Sequence, residues 1–400
     1  MKDRVILHVD MDGFFAAVES LYHLEVRGKP MAVAGDPRTR RGIILAKNQL
    51  AKRAGVKTAE PIREALRKCP GLILLPPHHG LYAEYCERAN EIYGRFTDLV
   101  EPAGIDESYL DITHAPKLTG GGGEVADEIR ETVRSELGVT VSVGVSFCKV
   151  FAKMGSDLNK PDGTSVITRA NYRAVLYPLP VGAMLYVGRA TEKAMAAMGV
   201  ETVGQLAALD EAVLTARLGR HGALLHRYAN GLDDEPVVRA EDREDVKSVG
   251  NGMTFRRDLT SREDISLGLL ALSESVARRL RKCHKRCYGV QVAIKDPELK
   301  VIDRQARLDK PTNLARTIHK TALDIVGRSW KPGKPIRLLT VTAINLTDES
   351  DGGQLSLFED PAADMRQEAL ERSLDDLRRR YGKSVIKPAS MLKNDLGIGE

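Results

Sequence analysis

Short apolar runs alternate with helical patterns in the first part of the chain. Residues 5–9 predict a buried strand, and the apolar spacing of residues 16–24 predicts the helix that follows it. A second strand is predicted at residues 43–46. Asn48 is a good helix N-cap after that strand, and Gly55 is a stop signal for the short helix between them.

The pattern then predicts a hairpin followed by another helix and strand. Residues 105–107 and 109–112 predict a β-hairpin whose turn carries carboxylates. The glycine run at 120–123 predicts a flexible surface loop, residues 124–137 a helix, and residues 139–145 a β-branched strand. This order of elements predicts an α+β domain with helices on one face of an antiparallel sheet.

The second half of the chain changes character twice. Residues 168–232 carry a compact, wholly helical pattern, and the acidic stretch 233–245 is typical of a linker. Strand-like runs follow at 290–294 and 338–346, flanking helices, and residues 364–381 predict an amphipathic helix. We therefore expect an α+β multidomain protein.

Length, hydropathy and cysteine usage limit the class of protein. The 400 residues exceed one typical core, and no apolar run reaches the length of a membrane span. The five cysteines are scattered and odd in number, which suits reduced thiols better than a disulfide framework. We expect a cytoplasmic protein without a membrane anchor.

Charge is unevenly distributed along the chain. Residues 247–348 contain about 21 Lys or Arg and about 10 Asp or Glu, so this segment is strongly basic and the remainder is net acidic. A basic module joined to an acidic one suits a protein that binds a polyanion and also concentrates divalent cations. The alternative is a solvated surface that is basic without binding anything.

Two short stretches carry candidate chemistry. Residues 8–19, H-V-D-M-D-G-F-F-A-A-V-E, place Asp10 at the end of a buried strand, and residues 104–112, G-I-D-E-S-Y-L-D-I, place Asp106 and Glu107 at a hairpin turn. Taken singly, each stretch is as typical of turn or cap residues as of a site. Together, three carboxylates without nearby His or Cys suit Mg²⁺, with Mn²⁺ as a substitute. Two such ions beside a basic DNA-binding segment favour nucleotidyl transfer over ATP hydrolysis.

Five motifs in order give the chain a family resemblance. The two carboxylate stretches, R-R-G-I-I-L-A-K-N at 40–48, F-A-K-M-G-S-D-L-N-K-P at 151–161 and K-S-V-G-N at 247–251 resemble Y-family DNA polymerases, and most of all their bacterial DNA polymerase IV branch. The resemblance implies a right-hand architecture with a ferredoxin-like palm, small fingers, a helical thumb and an α/β little finger. The implied bounds are palm 1–10 and 77–167, fingers 11–76, thumb with a helix-hairpin-helix 168–232, linker 233–246, little finger 247–348 and tail 349–400.

The resemblance also implies roles for single residues around the incoming nucleotide. The Met11 main-chain carbonyl joins Asp10, Asp106 and Glu107 as a metal ligand, and Phe15 matches the steric gate that excludes a sugar 2′-hydroxyl. Lys160 matches a lysine that contacts the triphosphate; core packing of Phe15 and a plain surface role for Lys160 are the alternatives. The implied nucleotide contacts are Phe14, Phe15, Gln49, Lys52 and Lys160. Gln49 and Lys52 stand where the family usually has a tyrosine and an arginine.

DNA and clamp contacts follow from the same resemblance. Gly188 matches the hairpin glycine of the thumb, whereas Ala190 replaces a second expected glycine. The implied DNA contacts are Gly188, Lys247, Ser248, Arg256 and Arg257. The tail sequence Q-L-S-L-F resembles a sliding-clamp peptide, in which Gln354 and Leu355 precede Leu357 and Phe358, two side chains suited to an apolar pocket.

The function predicted from these observations is template-directed DNA synthesis by two-metal nucleotidyl transfer, of the low-fidelity, translesion kind. The expected partners are primer–template DNA, deoxynucleoside triphosphates and a sliding clamp, and the expected state is a monomer. One alternative is a catalytically weak clamp-binding adaptor of a mutagenesis complex. Another is a sequence-independent DNA-binding module, which would leave the three carboxylates without a purpose.

Overall fold

The computed structural model describes residues 3–36, 42–115, 121–242, 245–351, 361–382, 385–392 and 394–398. These form two compact units, an N-terminal unit (described residues 3–242) and a C-terminal unit (described residues 245–398). The division falls inside the predicted linker 233–246, whereas the finer division into palm, fingers, thumb and tail stays a prediction. Among the described helices, none combines the length and apolarity needed to cross a membrane.

The N-terminal unit is built on a five-stranded sheet with the order β5-β6-β1-β7-β8 and a small sheet with the order β3-β2-β4. Its strands are β1 (Ile6–Met11), β2 (Met31–Ala34), β3 (Ile44–Lys47), β4 (Ile73–Leu75), β5 (Val100–Pro102), β6 (Glu107–Asp111), β7 (Val141–Ser146) and β8 (Thr164–Val166). Its α-helices are α1 (Phe14–Tyr22), α2 (Gln49–Arg53), α3 (Ile62–Lys68), α4 (His79–Tyr93), α5 (Gly122–Leu137), α6 (Lys149–Leu158), α7 (Tyr172–Leu176), α8 (Arg189–Ala196), α9 (Val203–Ala208), α10 (Glu211–Leu218) and α11 (Arg220–Ala229).

Two expectations about the large sheet were wrong. The sheet is mixed rather than antiparallel, because β8 runs parallel to β7. Helices also cover both faces: Leu7 and Val9 of β1 pack in one cluster with residues of α4 and α5, while Ile6 packs against Ala152 of α6 on the other face. Helix α6 lies directly against β7, since a Cβ on Gly144 would collide with the α6 backbone. The strand β1 is therefore buried on both sides.

Local start and stop signals were mostly confirmed. The Asn48 side chain accepts a hydrogen bond from the Ala51 N–H at 3.0 Å and so caps α2, and Gly55 adopts φ 84° just beyond that helix. The predicted loop at 120–123 was wrong at its described end, because α5 begins at Gly122. A Cβ on Gly122 would lie 2.7 Å from the side chains of Val5 and Val145, so glycine lets the helix start against the sheet.

The segment from 168 onward is helical as predicted, with α7 to α11 packed around an apolar cluster that also contains Val150, Phe151 and Met154 of α6. The C-terminal unit is a four-stranded antiparallel sheet with the order β11-β10-β12-β9. Its elements are β9 (Ser248–Leu259), α12 (Arg262–Lys282), β10 (Lys285–Lys295), β11 (Val301–Thr312), α13 (Ala315–Ser329), β12 (Ile336–Asp348) and α14 (Pro361–Tyr381).

The apolar core of the C-terminal unit lies between its sheet and the helices α12 and α13. The strand-like runs 290–294 and 338–346 fall inside β10 and β12, where alternate residues are buried. The strands β9 and β11 were not predicted, because most of their residues are polar and at least partly exposed.

Candidate active site

Backbone pairing brings the three predicted carboxylates to one end of the large sheet. Asp10 lies opposite Glu107 in the antiparallel pair of β1 and β6. The Met11 N–H donates to the carbonyl of Asp106 at 3.0 Å, which ties the hairpin turn to the end of β1. The turn itself closes through the Ala103 N–H, which donates to the Glu107 carbonyl at 2.8 Å. A hairpin turn that carries Asp106 is therefore confirmed, but its strands differ from those expected, because the turn joins β5 to β6 and Glu107 begins β6 instead of lying in the turn.

Two lysine ammonium groups lie among these carboxylates. Lys153 Nζ is 3.0 Å from Asp10 Oδ2 and 2.6 Å from Glu107 Oε1. Lys160 Nζ is 2.7 Å from the same Asp10 oxygen and 2.8 Å from Asp157 Oδ1. Lys160 was predicted from the sequence, whereas Lys153 was not, although it lies in the same F-A-K-M-G-S-D-L-N-K-P motif. The resemblance assigned a role to Lys160 alone in this motif, and nothing local in the sequence indicates the contact of Lys153 with Asp10.

A buried histidine lies beside Glu107. His8 Nδ1 is 2.9 Å from Ser156 Oγ, and His8 Nε2 faces Glu107 Oε2 at 3.6 Å. Burial lowers the pKa of His8. The imidazole of His8 and the ammonium of Lys153 hold the pKa of Glu107 well below its usual range, so this carboxylate is ionised.

The other two carboxylates are shifted the opposite way. Burial raises the pKa of Asp10, and the two lysines oppose that rise. Burial, together with repulsion from Asp10 and Glu107, raises the pKa of Asp106. Asp106 is therefore the carboxylate whose negative charge is least balanced by its surroundings.

The donor chemistry of this end of the sheet fits magnesium. Carboxylate oxygens are the ligands that Mg²⁺ prefers, and positive charge already lies against Asp10 and Glu107 in the form of the lysines. Within the described residues, no three acidic, His or Cys side chains are grouped closely enough to hold a metal ion as they stand. The geometry is that of carboxylates paired with internal cations.

A cavity of about 410 Å³ opens at the carboxylates. It brings together every residue that was predicted for the metal and nucleotide sites, and these are Asp10, Met11, Phe14, Phe15, Gln49, Lys52, Asp106, Glu107 and Lys160. The cavity is also lined by six residues for which no role was predicted, and these are Asp12, Gly13, Leu45, Ala46, Lys47 and Thr58. Asp12 has a structural role, since its carboxylate accepts hydrogen bonds from Thr140, Ser142 and the Asp162 N–H.

The two adjacent phenylalanines have different surroundings. The Phe14 side chain is 2 % exposed and belongs to the core. Phe15 is half-buried at the cavity and stacks on Tyr82, with ring centroids 4.0 Å apart and an interplanar angle of 12°. The Tyr82 hydroxyl donates to the buried carboxylate of Glu19, which fixes the supporting ring. Phe15 is thus a rigid wall of the cavity, and Tyr82 is a support that the sequence did not reveal.

Basic side chains line the part of the cavity near α2. Gln49 and Lys52 are exposed on this helix. Lys47 Nζ donates to Thr58 Oγ1 at 2.9 Å, and burial together with the charge of Lys52 lowers the pKa of Lys47. Two lysines that repel one another at one wall favour an anion between them. The side chain of Asn48 already accepts a hydrogen bond from one of the first backbone N–H groups of α2. Fewer of these N–H groups are therefore available to bind a phosphate.

The predicted DNA contacts lie in both units. Gly188 is the exposed N-cap of α8. In the C-terminal unit, Lys247, Ser248, Arg256 and Arg257 are exposed at or beside the edge strand β9. The Arg257 guanidinium lies 2.6 Å from Asp264 and 2.7 Å from Asp395, so it already forms ion pairs with two carboxylates of its own unit. The predicted clamp-binding residues, Gln354, Leu355, Leu357 and Phe358, lie outside the described residues.

Comparison with known proteins covers both units. The model of the impB/mucB/samB family matches residues 9–157, and that of the C-terminal domain of this family matches residues 246–357. A DNA polymerase IV of Acetivibrio thermocellus is 44% identical over 391 residues, with 98% of each chain covered. A DNA polymerase IV of Clostridium kluyveri is 35% identical over 396 residues, again with 98% of each chain covered. The fold is similar to that of a solved Y-family DNA polymerase chimera, with a TM-score of 0.75, 24% identity, and 86% of this chain and 99% of the chimera covered.

Proposed function

The chain belongs to the DNA polymerase IV group of the Y family of DNA polymerases, and from this premise we propose that it extends primers past damaged template by two-metal nucleotidyl transfer. It is a DNA-directed DNA polymerase with a role in translesion synthesis. The observation that carries the proposed mechanism is the single cavity shared by Asp10, Asp106, Glu107, Phe15 and Lys160. The carboxylates can hold metal ions, the aromatic wall can pack against a deoxyribose, and the cation can bind a triphosphate.

In the proposed mechanism, the cavity holds the incoming deoxynucleoside triphosphate. Lys160, Lys52 and the neighbouring Lys47 neutralise the triphosphate, and Gln49 donates from its amide. Phe15 lies under C2′ of the sugar, where its ring, held against Tyr82, leaves no volume for a 2′-hydroxyl. These residues orient the α-phosphate toward the primer end, which lowers the entropy cost of the reaction.

The residues that would hold the metals are Asp10, Asp106, Glu107 and the main-chain carbonyl of Met11. Two Mg²⁺, or Mn²⁺ in their place, would supply positive charge to the attacking and leaving oxygens of an in-line displacement. The Lys153 ammonium contacts both Asp10 and Glu107 and so holds these two carboxylates near one another.

The proposed function also requires contacts with DNA and with a sliding clamp. The strongly basic segment 247–348 would contact the phosphate backbone without reading sequence, with Gly188 at the start of α8 as a further contact. Residues 354–358 would bind a sliding clamp, and the polymerase would act as a monomer. No observation favours the adaptor alternative.

The test compares two isosteric changes in and beside the carboxylate site. Asp106→Asn should reduce primer extension with Mg²⁺ at least 100-fold, since several kcal/mol of charge stabilisation is lost, on the order of what a metal supplies. The affinity for primer–template, measured by fluorescence anisotropy, should stay within a few-fold. Asp111→Asn is the matched control, because this residue lies at the far end of β6, the strand that Asp106 precedes, and its Oδ1 accepts from the Thr113 N–H, a contact that Asn retains. Extension by Asp106→Asn at the level of the Asp111→Asn control would overturn the metal assignment.

A further inference from the structure

One tyrosine has a backbone conformation that its residue type disfavours. Tyr186 adopts φ 68°, the left-handed region, which costs free energy for any residue with a Cβ and is rare for a bulky one. Its side chain is 56 % exposed, so core burial does not offset that cost. The flanking chain holds the conformation: the Val187 N–H donates to the Met184 carbonyl at 3.1 Å, and His221 Nε2 lies 3.2 Å from the Tyr186 carbonyl.

Tyr186 lines a second cavity, of about 320 Å³, that also reaches the catalytic end of the sheet. This cavity shares Glu107 with the active-site cavity. Its aromatic lining consists of Tyr109 on β6, Tyr186 before α8, and Tyr228 on α11, with the rings of Tyr186 and Tyr228 6.0 Å apart at 32°. The residues proposed to bind the incoming nucleotide line the first cavity. Four residues between positions 185 and 235 line the second cavity and do not line the first.

The charged groups of the second cavity are largely paired with one another. Lys149 Nζ is 2.6 Å from Glu101, and Lys153 Nζ is 2.6 Å from Glu107. Burial and the carboxylate of Glu235 raise the pKa of Tyr186, which keeps its phenol neutral. Among the described lining residues, both lysines therefore already have an acidic partner. Such a cavity suits the sugar and base edge of a nucleoside better than a phosphate.

We propose that Tyr186 is a positioning residue for the primer, whose ring packs against the sugar of the 3′-terminal nucleotide and so holds the 3′-hydroxyl near Glu107. This rests on the proposed function, because only a polymerase needs a primer end at that carboxylate. The left-handed backbone aims the ring at the cavity. Gly188, the N-cap of α8, lies two residues further along the chain. The next phosphate of the primer would then lie at the start of α8, where backbone N–H groups can bind it.

The test uses the full-length protein and three substitutions. Tyr186→Gly and Tyr186→Asn both tolerate the left-handed backbone but remove the ring, and Tyr186→Phe keeps the ring. The first two should weaken binding to a primer–template with a recessed 3′ end by about tenfold, the loss of one aromatic contact to a nucleotide. Binding to the unprimed template strand and the KM for deoxynucleotides should stay within twofold, and Tyr186→Phe should match the wild type. The melting temperature of Tyr186→Gly should be unchanged or higher by up to about 3 °C, since backbone strain is relieved.

Leu299→Gly is the matched control for strain relief alone. Leu299 has the same φ of 68° and is 61 % exposed in the turn between β10 and β11. It should show a similar thermal shift and no change in primer affinity. Primer affinity within twofold of wild type in Tyr186→Gly, while the wild type extends normally, would overturn this proposal alone. A melting temperature that falls by several degrees together with affinity would show that the ring is structural. A wild type that does not extend would instead contradict the proposed function.

Discussion

At the scale of single residues, three carboxylates in one pocket have three different electrostatic surroundings. His8 and Lys153 hold the pKa of Glu107 down, burial raises that of Asp10 against the pull of two lysines, and Asp106 is raised by burial and by both other acids. Because neighbouring groups balance the negative charge of Asp106 least, a cation bound beside this carboxylate would be stabilised the most.

The rigid stacking of Phe15 on Tyr82 leads to a prediction about sugar selection. Phe15→Ala should raise the efficiency of ribonucleotide relative to deoxynucleotide incorporation by roughly 10- to 100-fold, because the volume under C2′ is vacated. The measurement is the ratio of kcat/KM for the two sugars. Tyr82→Phe is the control, since it keeps the supporting ring and removes only the hydroxyl, which donates to Glu19 and accepts from the His78 N–H. An unchanged ratio in Phe15→Ala would make Phe15 a packing residue.

The wall formed by α2 leads to a second prediction at this scale. Lys52→Ala should lower kcat/KM for nucleotides by roughly 10- to 100-fold, the worth of one charge-assisted contact of about 1.5–3 kcal/mol. Gln49→Ala should cost less than about tenfold, in line with a neutral hydrogen bond of about 1 kcal/mol. Single-turnover incorporation with both variants checks the order. The reverse order would mean that Lys47, whose pKa is lowered by burial and by the charge of Lys52, has the larger part of the triphosphate contact.

At the scale of elements, the C-terminal helix α14 is held by ion pairs more than by apolar contacts. Glu371 is its one fully buried residue among those whose side chains are described, while Met365, Leu370 and Tyr381 are exposed. Arg281 of α12, only 5 % exposed, lies between the carboxylates of Glu371 and Asp375, 2.5 Å and 2.7 Å from them. The amphipathic pattern predicted the helix, but these partners lie about 90 residues apart in the chain.

This buried arrangement predicts a large stability effect. Arg281→Met should destabilise the C-terminal unit by about 3–5 kcal/mol, because the buried carboxylate of Glu371 and the partly buried one of Asp375 lose their counter-charge. Arg379→Met is the control: its side chain is 75 % exposed and pairs with Asp376 on the same helix, so the change should stay within about 0.5 kcal/mol. Urea unfolding of both variants measures the difference. A loss below about 1 kcal/mol for Arg281→Met would show that α14 contributes little to the unit.

At the scale of the whole molecule, charge is divided between an acidic catalytic part and a basic part. The overall charge of +5 hides this division. A basic segment lets a polymerase bind any sequence through phosphates, and it makes binding strongly dependent on salt. A short tail peptide would add a different kind of contact, one that raises the local concentration of the enzyme at a primer end without touching the chemistry.

The tail peptide leads to a prediction at this scale. Leu357→Ala combined with Phe358→Ala should abolish stimulation of synthesis by a loaded sliding clamp and leave clamp-independent extension unchanged, because the peptide belongs to none of the motifs assigned to the active site. Ser356→Ala, in the same peptide but without an assigned pocket, is the control. Primer extension with and without a loaded clamp measures both. Full stimulation of the double variant would place the clamp contact on another surface.

The sequence by itself determined the features that depend on neighbours along the chain. The cap at Asn48, the carboxylate hairpin before Glu107 and the helical segment 168–232 were predicted correctly, because turn chemistry and periodicity are local. The residues predicted for the metal and nucleotide sites also line one cavity, since their motifs resemble those of a family with a known site. The roles of these residues remain predictions.

Only the tertiary structure decided the features that depend on distant contacts. Gly122 starts a helix because Val5 and Val145 leave no space for a Cβ, and α6 covers the second face of the sheet because Gly144 admits its backbone. Lys153 reaches Asp10 across 143 positions of the chain, and Tyr186 lies beside a cavity that ends at Glu107. No periodicity in the sequence encodes such pairs, because the free energy that forms them comes from packing and charge between segments that only the fold brings together.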